Sequence, residues 1–120
     1  MANFIREIPS DSTITNIEII SNSIAIAFQF DITINNQNSG TLIFEEMAAF
    51  RLLPGWNDNT SIEGIAIKKT SEFLEDTKKI IQKEAFNKNL LLLKLLNSYQ
   101  ILNCNNVVIE VVAISYKMIK

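Results

Sequence analysis

Histidine is absent from all 120 residues, and cysteine occurs once, at Cys104. Without histidine there is no Ser-His-Asp or Cys-His nucleophilic site, no imidazole acid–base chemistry and little scope for zinc. One cysteine forms no internal disulfide. Cys104 sits in a strand-like stretch and is read as a buried core thiol. The three glycines, Gly40, Gly55 and Gly64, are isolated, so no phosphate-cradling loop or nucleotide fingerprint is present. Only two prolines occur, and long flexible linkers are not expected. Arginine appears only as Arg6 and Arg51. With a sequence pI near 5.1 and no basic–aromatic interleaving, nucleic acid is not an expected partner. Apolar runs such as Leu90–Leu93 and Val111–Ile114 are far shorter than a membrane span. The opening M-A-N-F-I-R-E-I-P-S lacks the apolar region of a signal peptide, so a reduced cytoplasm is the expected compartment and no membrane contact is expected.

What is present is apolar and patterned. Hydrophobic residues make up 48% of the chain, which argues against disorder. A single domain over 1–120 is expected, long enough to bury a core without disulfides or metal. Ile24 to Ile34, I-A-I-A-F-Q-F-D-I-T-I, places Ile24, Ile26, Phe28, Phe30, Ile32 and Ile34 on one side. Ala25, Ala27, Gln29, Asp31 and Thr33 fall on the other, the mark of a strand with one buried face.

Thr13 to Ile20 reads as a preceding strand, with Ile14 on one face and Ile17 and Ile19 on the other. Ser21–Ser23 between them is a turn, so a hairpin is expected. After the turn Asn35–Gly40, a third strand begins at Thr41 with Leu42 and Phe44 on one face. In E-E-M-A-A-F-R-L-L, Glu45 to Leu53, the period blurs; a bulge that bends the chain, with the strand resuming at Ala49, accounts for it. Pro54 and Gly55 end that strand, and Ile62, Ile65 and Ile67 suggest a short one up to Lys68.

Ser71 to Phe86 is the one clear helix. Phe73, Leu74, Thr77, Ile80, Ile81 and Ala85 form its apolar stripe, Ser71 its N-cap, and Glu75–Lys79 an i,i+4 pair. Leu90 to Leu96 favours a short buried helix by propensity, though so short a run also suits a strand. Tyr99–Cys104 and Val107–Lys117 read as a closing hairpin across Asn105–Asn106. The last strand is apolar on both sides, as a central strand must be. The fold class is therefore α+β. A mostly antiparallel sheet of about five or six strands packs its apolar face against one main helix at 71–86.

Charge is uneven. Residues 1–60 carry seven acids against Arg6 and Arg51, for −5; residues 61–120 carry nine lysines against six acids, for +3. Glu45, Glu46, Asp58 and Glu63 are the carboxylates that a hydrolase or magnesium site would draw on, but scattered surface acids are the commoner arrangement. No cofactor or metal is expected, and the chain is not read as an enzyme. P-G-W-N-D-N-T, Pro54 to Thr60, is the most site-like stretch. Trp56 there either caps the core edge or anchors a partner. Glu45, Glu46, Arg51, Trp56 and Asp58 are the candidate partner-binding residues.

The runs T-L-I-F-E-E-M-A-A-F-R-L-L (Thr41–Leu53) and N-N-V-V-I-E-V-V-A-I-S-Y (Asn105–Tyr116) resemble those of small bacterial immunity proteins of polymorphic toxin systems. Phe44, Ala49, Phe50, Arg51, Val108, Glu110 and Val111 carry the resemblance. The chain departs from it after A-F-R, where Pro54-Gly55-Trp56 stands in place of an acidic residue. The resemblance implies stoichiometric binding of a toxin and no catalysis, with the acidic first half suited to a basic target. The alternative is a structural, self-associating module, a homodimer joined through a sheet edge or the Trp56 loop.

Overall fold

A computed structural model describes residues 3–5, 8, 12–21, 26–34, 37–57, 61–84 and 91–120. Seven strands form one sheet: β1 (Asn3–Phe4), β2 (Thr13–Ser21), β3 (Ile26–Ile34), β4 (Gln37–Leu52), β5 (Gly64–Lys68), β6 (Asn97–Asn103) and β7 (Asn106–Ile119). Two helices, α1 (Glu72–Glu84) and α2 (Leu91–Leu95), lie between β5 and β6. The sheet order is β1-β5-β6-β7-β4-β3-β2, and every pairing is antiparallel. The α+β, mostly antiparallel expectation holds, with seven strands in place of five or six. The additional strand is β1, a two-residue pairing of Asn3 and Phe4 with Ile67 and Ala66 that is too short to leave a periodic signal.

The sheet curls on itself. Thr13, at the start of β2, bridges Ser61, and the Ile62 amide donates to the Ser12 carbonyl at 2.9 Å. Edge strand β2 thus meets the chain just ahead of β5, one strand in from the opposite edge, giving a partly closed barrel. Its interior holds the inward residues of six strands: Ile14, Phe28, Phe30, Ile32, Leu42, Phe44, Ile65, Tyr99, Ile101, Ile109 and Val111 all belong to one buried cluster. The alternation expected for β3 is observed over its described residues, where Phe28, Phe30 and Ile32 are fully buried. Ile24 and Ala25 lie outside the described residues.

This closure corrects one expectation. The apolar face of the sheet is not turned to the helix; it is enclosed by the sheet itself. Helix α1 rides on the outer face, over a second and smaller cluster of Leu74, Leu93, Leu96 and Val112, with Ala49, Phe73, Ile81 and Ile114 packed against it. Central β7 serves both sides, Val111 and Ala113 inward and Val112 outward, which is why apolar residues occupy both of its faces in this stretch.

Two bulges shape the curl. In β2 the register slips between Thr15 and Glu18, with Asn16 at φ 53°. The extra residue brings Ile17 back to the core side that Ile14 occupies, where plain alternation puts them on opposite faces. In β4 the expected irregularity falls at Glu46 (φ 53°) and between Met47 and Ala49, and the strand is continuous across it. Gly40 is where β4 crosses the end of β7: an added Cβ would lie 2.8 Å from the Ile119 carbonyl oxygen.

Helix α1 begins as expected. Ser71 Oγ accepts from the Leu74 amide at 3.0 Å, and Glu72 and Glu75 lie in the first turn. Its contact stripe is narrower than the apolar pattern: Leu74 and Thr77 are buried, but Ile80 is exposed. The ion pair on its surface joins Glu75 to Lys78 at 4.0 Å, not to Lys79. Ala85 and Phe86 lie outside the described residues, as do residues 88–90; Leu91–Leu95 is helical.

The β6–β7 turn falls one residue earlier than its sequence suggests, at Cys104 and Asn105, both left-handed (φ 50° and 65°). Cys104 is therefore exposed at a hairpin tip, not buried in the core. Asparagine tolerates that conformation, and the Asn105 amide is held by Glu63 Oε1 at 2.8 Å.

Candidate functional site

Glu110 interrupts V-V-I-E-V-V at the centre of the sheet, on the outer face beneath α1. Its side chain is 1% exposed. A charge so placed must be paired and hydrogen-bonded on every side. The register provides this: Glu110 stands opposite Arg51 on β4 and opposite Gln100 on β6. Arg51 donates to Oε1 through Nε (3.2 Å) and Nη2 (2.7 Å). Oε2 accepts from Ser71 Oγ (2.7 Å), Ser98 Oγ (2.5 Å) and Gln100 Nε2 (3.2 Å). Burial pushes the Glu110 carboxyl up, but the hydrogen bonds from Ser98, Ser71, Arg51 and Gln100 outweigh it and hold it below its ordinary value.

Five donors fill the carboxylate's acceptor positions. A group so occupied, and held ionised, is a poor proton acceptor; the cluster's chemistry is attachment. Ser71 caps α1 and bonds Glu110 at once, and the Arg51 guanidinium lies 4.6 Å from the centre of the Phe73 ring. The first turn of α1 is thereby pinned to β4, β6 and β7.

A second region lies at the bulged end of the sheet. The β3–β4 ladder stops at the pair Phe28–Phe44, while β3 continues back to Ile26 beside β2 and β4 runs on to Leu52 beside β7. Phe28 and Phe50 lie at this parting, ring centres 5.0 Å apart. Ile19, Ile26 and Leu52 are exposed, and Ile17, Met47, Phe50 and Trp56 are half-buried against the core.

Of the five residues expected to bind a partner, the four that are described are spread along β4 and the turn after it. Glu45 pairs with Lys117 at 3.5 Å on the outer face. Arg51, six residues further along β4 and so roughly 20 Å away by strand rise, is engaged with Glu110. Glu46 is exposed at the bulge, and Trp56 packs on the core edge after the turn in which its amide bonds the Leu53 carbonyl at 3.1 Å. Asp58 lies outside the described residues. Glu63, the fourth acid considered for a hydrolase or magnesium site, is the one that bonds Asn105. Among the described residues, no three of the histidine, cysteine, aspartate or glutamate side chains are grouped so as to hold a metal ion.

The residues missed are Glu110 as a buried anchor, with Ser98 and Gln100. The signal is in the sequence: an acid with three apolar residues before it and four after it, in a strand covered on both faces, requires a partner, and Arg51 is one of two arginines in the chain.

No family model, no curated protein and no solved structure matches this chain. Among the described residues, no helix is long and apolar enough to cross a membrane.

Proposed function

We propose that this chain is a non-enzymatic protein-binding domain, and that its role is to inhibit a bacterial toxin by stoichiometric binding. The observation that carries the reading is the division of labour among its side chains. The buried polar cluster is spent internally, on Glu110. Three large apolar side chains, Ile19, Ile26 and Leu52, are instead exposed at one end of the sheet, beside half-buried Phe50 and Trp56. Clustered apolar exposure is what a protein interface uses. The toxin assignment rests on the resemblance of Thr41–Leu53 and Asn105–Tyr116 to immunity proteins.

Co-expression with a toxin domain, where one is encoded beside its gene, tests this. Growth rescue together with a one-to-one complex in calorimetry is the expected result. Growth arrest in the presence of abundant folded chain contradicts it.

The alternative is a homodimer. It is favoured by the outer edge of β2, which beyond Thr13 pairs with no strand among the described residues. Light scattering across a concentration series separates the two: a monomer throughout supports partner binding, a stable dimer supports self-assembly.

A further inference from the structure

We draw no further inference here: the strongest candidate, the exposed apolar patch of Ile19, Ile26 and Leu52 at the bulged end of the sheet, belongs to the surface already described, and nothing in the structure shows what covers it.

Discussion

The concave side of the sheet is filled by six aromatic rings, Phe28, Phe30, Phe44, Phe50, Tyr99 and Tyr116, linked by centre-to-centre contacts of 4.9–6.3 Å. The convex side under α1 has four buried aliphatic side chains and one hydrogen-bonded carboxylate. The first region is held by volume and tolerates no void. The second is held by direction: few contacts, but with Ser71, Arg51, Ser98 and Gln100 all aimed at one group. A packed interior fails as a whole when a large side chain is removed. An element attached at one polar point can detach while the rest stays folded.

Four variants or conditions separate the two regions. Phe44→Ala empties a site touched by Phe28, Phe30 and Tyr99 rings and is expected to cost about 4 kcal/mol. In denaturant titration all spectroscopic probes should shift together. Glu110→Ala leaves Arg51, Ser98 and Gln100 without their acceptor and should cost about 3 kcal/mol. The loss should appear first in the helical signal at 222 nm; coincident loss of tyrosine near-UV signal would place Glu110 in the global core instead.

Acid gives a smaller effect with a fixed sign. The Glu110 carboxyl is held below its ordinary value of 4.5. Its contribution to stability is therefore complete above that value and is lost as pH falls through the lower folded one. Acid titration of wild type against Glu110→Gln measures it: the wild type should lose stability over this range more steeply. The smallest effect is expected for Ser71→Ala, which removes a cap and one bond to Glu110, about 1 kcal/mol. It should speed amide exchange in α1 and leave β3 and β4 unchanged.

The elements themselves were legible where one side chain period ran unbroken. Phe28, Phe30 and Ile32 declared the inner face of β3, the double-sided valines declared β7 central, and Ser71 declared the start of α1. The blurred period at Glu45–Ala49 even announced the bulge. What could not be read is long-range. Ser12–Thr13 meeting Ser61–Ile62 closes the sheet through residues with no distinctive pattern, and that closure decides which face the helix covers. Ile17 changed faces because one extra residue at Asn16 is invisible in a composition of isoleucines. Cys104 reads as buried because the asparagine pair places the turn one residue late. At the candidate sites, the sequence marks Arg51 but not its partner, since only the β4–β7 register sets it against Glu110.

Native-state hydrogen exchange of the wild-type chain tests the contrast between the two regions most directly. The account predicts that α1 amides exchange through a local opening, at a free energy clearly below that of Phe28–Ile32, Leu42–Phe44 and Ile109–Ala113. Exchange of α1 only through global unfolding, together with those strands, would contradict it.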